Sequence, residues 1–318
     1  MKKSIITTAM ALGMALLCCS CGGSGTAEQS PQTDNTVQSA ENVQTQDNAV
    51  PSFISEAEAA NRLDALVEKY GKTAVKTDYL FKDGTTSSEY YYKDAERYVY
   101  ELGDYVYIDE DGEIYGFDDN VSLPFRTIFV GDGCYEEYRS AAELAEVFQY
   151  GETEEITSQK TENGVTVIES TYPKEADTAF YASLGYTDDE VDSYKYVYEF
   201  DESTKELKSL RSYIVKDGQD SLIIDMVIVP DCEEYVPDEQ LRAEIFGDDS
   251  RTLTVIAAPG TDDEKTFTQT VKKGSAIQVV ASLIYEQKLY TDKECTVELS
   301  DDGLDRMADQ TVYMKKAE

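Results

Sequence analysis

The apolar positions divide the chain into stretches of different texture. Ile5 to Leu17 form one apolar run, and residues 22–52 carry almost no large apolar side chain. From residue 53 the apolar positions become periodic. Ala59, Leu63, Leu66 and Val67 recur at helical spacing, Ser55 and Glu58 read as a capping box before them, and Gly71 reads as the stop. Between Ala74 and Val130 the period shortens to two. Runs rich in Tyr, Val and Ile are separated by turn signals at Asp83-Gly84, Lys93-Asp94 and Asp111-Gly112, which predicts an antiparallel meander.

Ser140 with Glu143 predicts the cap of a second helix running through Phe148, and a third helix is expected over Glu175 to Leu184. Asn163-Gly164 turns a hairpin between Ile156 and Tyr172. Tyr194, Tyr196, Tyr198 and Phe200 then alternate strictly, and strands follow at Leu210 to Val215 and Leu222 to Val229, joined through Asp217-Gly218. The class is α+β: one large antiparallel sheet with segregated helices over residues 53–230. Residues 231–250, preceded by Pro230 and containing Pro237 and a short helical turn, read as a linker. Residues 251–318 resume a strand pattern and read as a small separate module.

Charge narrows the possible partners. With 64 acidic against 28 basic residues, the net charge is −36, a field that repels nucleic acid and anionic headgroups. The chain has no histidine. A Ser-His-Asp or Cys-His nucleophile is therefore impossible, and HExxH, P-loop and GxGxxG patterns are absent, so no enzyme is expected. The acidic run Ile108 to Asp119 places a glycine as a calcium loop would, yet the first ligand position falls on Tyr107, and a hairpin turn explains it better. Asp301, Asp302 and Asp305 lack a cage-like spacing. Neither a metal nor a cofactor is expected. Cys134, Cys232 and Cys295 are scattered singly; a Cys134 to Cys232 bridge and free thiols are both open.

The N-terminal run, with Lys2 and Lys3 before it, is a signal peptide over residues 1–20 and too short for a comfortable membrane span. It ends LLCCSCGGSG, which resembles the lipobox of bacterial lipoproteins. That resemblance implies lipidation of Cys21, with Cys19 as the rival. Residues 21–52 then form a lipidated, disordered tether, and the protein is held at the cell membrane by palmitate-type acyl chains, facing outside the cytoplasm. The order of an N-terminal helix, a tyrosine-rich meander, inserted helices and closing strands of the form YKYVYEFDESTKELKSLRSYI resembles the LolA-like lipoprotein-carrier superfamily. This implies a curved, half-barrel-like sheet whose concave face takes up lipid or another apolar ligand. In the last segment, Val271-Lys272-Lys273-Gly274-Ser275, the run LYTDKECT and Asp309-Gln310-Thr311-Val312-Tyr313 resemble the Listeria–Bacteroides repeat, a β-grasp-like module of surface proteins, with Leu289 where an aromatic is usual.

The candidate ligand-lining residues are Tyr98, Tyr100, Tyr194, Tyr196 and Tyr198, drawn from 24 tyrosines in a chain without tryptophan. The competing reading makes them cross-strand pairs that stabilise a sheet. The expected function is that of a membrane-anchored extracytoplasmic lipoprotein, non-enzymatic, binding a lipid or other apolar small molecule. The alternative is a surface adhesion or scaffold protein that meets another surface protein and has no ligand pocket. The two differ in whether the tyrosine face surrounds open volume or is filled by the protein's own helices.

Overall fold

The computed structural model describes residues 49–317, apart from residues 152, 177, 301 and 302. The expected signal peptide, the expected lipidation site Cys21, nearly all of the expected tether, and Asp301 and Asp302 lie outside the described residues. In chain order the elements are α1 (Ala49–Ala60), α2 (Leu63–Tyr70), β1 (Lys72–Leu80), β2 (Thr86–Asp94), β3 (Arg97–Leu102), β4 (Tyr105–Glu110), β5 (Glu113–Asp118), β6 (Leu123–Val130) and α3 (Cys134–Ala142). They continue with β7 (Glu155–Glu162), β8 (Val165–Pro173), α4 (Thr178–Ser183), β9 (Ser193–Asp201), β10 (Leu207–Lys216), β11 (Gln219–Pro230) and α5 (Glu239–Ile245). The last strands are β12 (Ser250–Ala257), β13 (Lys265–Lys272), β14 (Ala276–Ala281) and β15 (Gln310–Met314). Antiparallel strands with a few short helices match the expected α+β class.

Three of the hairpin signals worked as the backbone requires, while Lys93 and Asp94 end β2 and the turn follows at residues 95–96. Asp111 and Gly112 have φ of 56° and 76°, Asn163 and Gly164 53° and 78°, and Asp217 and Gly218 50° and 73°. Two successive positive φ values are what a two-residue turn needs to match strand twist. The helix starts differ from expectation. α1 begins at Ala49, so Ser55 lies inside it and caps nothing, while Asn61 interrupts the helix. The fully buried Asn61 side chain donates to the carbonyls of Ala57 (2.7 Å) and Lys205 (2.9 Å) and accepts from the Leu207 N–H (2.7 Å). Gly71 does close α2, at φ 80° with its N–H on the Val67 carbonyl at 2.7 Å.

The helix expected from Ser140 to Phe148 is instead α3, which ends where that one was to begin. Glu143 is extended, and its carboxylate accepts from Arg139 Nε (2.5 Å) and Lys93 Nζ (2.9 Å). A serine three residues before a glutamate reads alike at the start of a helix and across its last turn. The third expected helix is shorter, a 3₁₀ turn at Lys174–Ala176 followed by α4.

The described chain divides into two compact units, at Ser88/Glu89, Glu143/Leu144 and Asp231/Cys232. In the first unit, residues 49–88 and 144–231, the strands lie in the order β1-β11-β10-β9-β8-β7, all antiparallel. In the second unit, residues 89–143 and 232–317, the meander β2 to β6 is extended at its end by β14, which runs parallel to β6. A three-stranded sheet β13-β12-β15 has β12 and β15 parallel.

Residues 251–318 thus contain a small β-sheet, but not a core of their own. Leu253, Val255, Val271 and Val312 pack in one buried cluster with Tyr92, Val99, Ile108, Tyr115 and Ile128 of the meander. The physical reason is layering. The apolar face of the three-stranded sheet has no second layer among the described residues of 251–318 and is buried on the larger sheet.

Candidate functional site

The tyrosine ladder of β9 begins from simple alternation, which sends Tyr194, Tyr196, Tyr198 and Phe200 to one face of the first unit's sheet. Across the sheet these residues stand opposite Tyr172, Ser170, Ile168 and Thr166 of β8, and Ile214, Ser212, Leu210 and Leu207 of β10. Tyr196 stacks on Tyr198 at 6.1 Å and 18°, and Tyr198 on Phe200 at 6.1 Å and 22°. Both ends are covered by the unit's own side chains. Phe148 meets the edges of Tyr198 (5.2 Å) and Phe200 (4.9 Å), and Phe53 of α1 meets Phe200 at 5.4 Å. At the other end Tyr181 of α4 lies 6.0 Å from Tyr194, inside a cluster with Phe180, Leu184, Ile214 and Ile223.

Between the two covers lies a band of half-buried side chains: Tyr172, Tyr196, Leu210 and Met226. Its floor is small and polar, made of Thr77, Ser170 and Ser212, all buried. Ser212 Oγ has no hydrogen-bond partner among the described residues.

A carboxylate sits beneath the ladder. Glu154 is 7% exposed; its Oε1 accepts from Tyr198 Oη (2.8 Å) and from Ser170 Oγ, and its Oε2 from the Gly151 N–H (3.1 Å). Burial pushes the Glu154 carboxyl above the usual range, while those donors pull it back. The same burial drives the Tyr198 phenol far above its ordinary value.

Tyr98 and Tyr100 lie in the second unit. There Tyr91, Tyr100, Tyr107, Gly116 and Phe125 stand in register across β2 to β6. Tyr91 lies 4.8 Å from Tyr100, Tyr98 lies 6.2 Å from Tyr107, and Tyr105 stacks on Phe125 at 6.3 Å. Gly116 is required in this row, because a Cβ there would sit 1.8 Å from the Val106 carbonyl oxygen. Two buried carboxylates accompany the rings. Glu89 accepts from Tyr91 Oη at 2.9 Å; Asp109, fully buried, accepts from Tyr135 Oη at 2.6 Å and faces Arg139 Nε at 3.4 Å. Burial is the main influence on Asp109 and raises its carboxyl above the ordinary value, against the pull of Tyr135 and Arg139.

The five expected tyrosines therefore belong to two separate settings. Tyr98, Tyr100, Tyr194 and Tyr198 are buried at 9% exposure or less, and Tyr196 is half-buried. Glu154, Ser212 and Asp109 carried no signal in the sequence, since each is one acidic or small polar residue among many. A cavity of about 260 Å³ in the second unit is lined by Val279, Leu289, Leu299, Leu304 and Met314, with the Lys288–Glu298 pair (2.7 Å) also at its wall. None of the five tyrosines lines it. Cys134, Cys232 and Cys295 are free thiols, so the Cys134 to Cys232 bridge is not made; Cys134 Sγ approaches the Val280 carbonyl at 3.6 Å. Among the described residues no three His, Cys, Asp or Glu side chains group to hold a metal ion.

No family model and no curated protein matches the chain, so the Listeria–Bacteroides resemblance gains no support. Among solved structures, LprF from Mycobacterium bovis is 10% identical, covering 59% of this chain and 97% of its own, with a TM-score of 0.24. A LolA superfamily protein from Nitrosomonas europaea is 10% identical, covering 53% of this chain and 91% of its own, with a TM-score of 0.20. Likenesses of that size carry no argument about the function of this chain.

Proposed function

We propose that the chain is a membrane-anchored extracytoplasmic lipoprotein, non-enzymatic, whose first unit holds an apolar ligand across the tyrosine ladder. The observation behind this reading is the half-buried band of Tyr172, Tyr196, Leu210 and Met226 between two aromatic covers. An acyl chain laid there would exclude water from four large side chains. Each of its methylenes would contribute about 0.8 kcal/mol. The lipobox at Cys21 supplies the anchor in this reading, and the element order is that of a carrier.

A second reading has its own support. Four of the five tyrosines are already buried by the protein's own side chains, as expected of a scaffold or adhesive protein whose sheet is filled from within. The absence of tryptophan gives a clean test. Tyr196→Trp makes the only indole in the chain a reporter of the band. Titration with a long-chain fatty acid is expected to shift its emission to the blue along a saturating curve, and native mass spectrometry is expected to find a co-purifying lipid. An unmoved emission and a clean apo mass would refute the carrier reading in favour of the scaffold.

A further inference from the structure

The second unit contains a positive charge with no counter-charge in contact with it among the described residues. Arg251, on β12, is only 1% exposed, the largest of the fully buried side chains. Its Nη2 donates to the Ser275 carbonyl at 3.1 Å, while Nε and Nη1, both buried, have no hydrogen-bond partner among the described residues. Burying a guanidinium in this state is severe, because neither the charge nor its donors recover what water gave them. Burial accordingly pulls the group below its ordinary pKa.

The acidic side chains that act on it through space each engage a backbone N–H through Oδ1. Asp309 Oδ1 accepts from the Thr252 N–H at 2.7 Å. Asp305 Oδ1 accepts from the N–H groups of Met307 (2.8 Å) and Ala308 (3.2 Å). Both influence Arg251 through space, as does the like charge of Arg306. All three sit on the segment 303–309, whose Arg306 carbonyl accepts from the Gly274 N–H at 2.9 Å. The segment thus meets the chain at Thr252 and Gly274, the sequence neighbours of Arg251 and Ser275; its residues 303 and 304 are half-buried and 305–309 are exposed.

We propose that Arg251 anchors a binding site for a small monocarboxylate, entered by displacement of the segment 303–309. Each open N–H of a guanidinium is a charge-assisted donor to a carboxylate oxygen. A single negative charge neutralises Arg251. A dianion such as phosphate would leave excess negative charge beside Asp305 and Asp309, and a carboxylate avoids that repulsion. The site is independent of the ladder in the first unit and of the proposal made for it.

The test uses the full mature chain and sodium acetate as the probe, against sodium chloride at equal ionic strength. Acetate is expected to raise the unfolding midpoint along a saturating curve, by about 5 °C at a hundredfold excess over its dissociation constant. It is also expected to shift one arginine Nε–H resonance in ¹⁵N-edited spectra. Arg251→Met is expected to lose both responses. Asp305→Asn is expected to tighten binding by removing a competing negative charge. Equal midpoints in acetate and chloride would assign the effect to screening of the acidic surface and overturn the site. So would an acetate response that survives in Arg251→Met, or one that disappears in Asp305→Asn. If Arg251→Met does not fold, the resonance shift in the unaltered chain decides: a saturable shift supports the site and its absence overturns it.

Discussion

Tyr198→Phe separates the ladder's stacking from its hydrogen bonding. The ring keeps its place against Tyr196, Phe148 and Phe200, and only the donor to Glu154 Oε1 at 2.8 Å is lost. Glu154 then retains Ser170 Oγ and the Gly151 N–H. Losing a hydrogen bond to a buried carboxylate costs about 2 kcal/mol, and to its protonated form about 1 kcal/mol. The pH dependence follows from the direction of the Glu154 shift. Its folded pKa is raised by burial above the ordinary 4.5, and the Tyr198 bond opposes that rise. A carboxyl with a raised folded pKa contributes stability that is fully present below its unfolded pKa and is lost as pH climbs through the folded value. Removing Tyr198 Oη lifts the folded value further, so the variant loses more stability over that climb. Urea unfolding followed by far-ultraviolet circular dichroism, at pH values from about 4 to about 8, measures this directly. The expected difference between variant and parent widens by about 1 kcal/mol from the acid to the neutral end. A difference that is the same at every pH would refute the assignment of Glu154 as the charged partner beneath the ladder.

Phe148→Ala removes the ring that covers Tyr198 and Phe200 and is expected to cost about 3–5 kcal/mol, read from the same urea midpoint; a loss under about 1 kcal/mol would mean the cover is not packed. Gly116→Ala drives a Cβ into the Val106 carbonyl and is expected to prevent stable folding of the second unit, whereas Gly84→Ala, with open space but φ of 83°, is expected to cost only about 1 kcal/mol. Soluble yield and thermal midpoint distinguish the two. Asp109→Ala leaves Tyr135 Oη without its acceptor and Arg139 with Glu143 and Tyr135 Oη only, among the described residues. It is expected to cost about 3 kcal/mol and to speed amide exchange in α3, while exchange in the first unit stays unchanged.

Local chemistry was legible because it is written in neighbouring residues. Asp111-Gly112, Asn163-Gly164 and Asp217-Gly218 dictated their turns through the backbone, and strict alternation placed Tyr194 to Phe200 on one face. Helix ends were less legible, because Ser55 and Ser140 have capping partners at the right spacing whether or not a helix begins there. The chain's acidity, its lack of histidine and its lipobox-like leader are also properties of the sequence alone.

What lies over each face was decided by tertiary structure. No local pattern says that Phe53 and Phe148, far apart in the chain, close on Phe200, or that Glu154 is drawn under Tyr198 and Ser170. Nor does one say that residues 251–318 share a core with a meander more than a hundred positions earlier. Periodicity assigns a side chain to a face; burial, and the hydrogen bonds that burial demands, depend on which distant segment covers that face. The same separation hid Arg251. In the sequence it is one of 28 basic residues in an acidic chain, and only the fold encloses it without a counter-charge among the described residues.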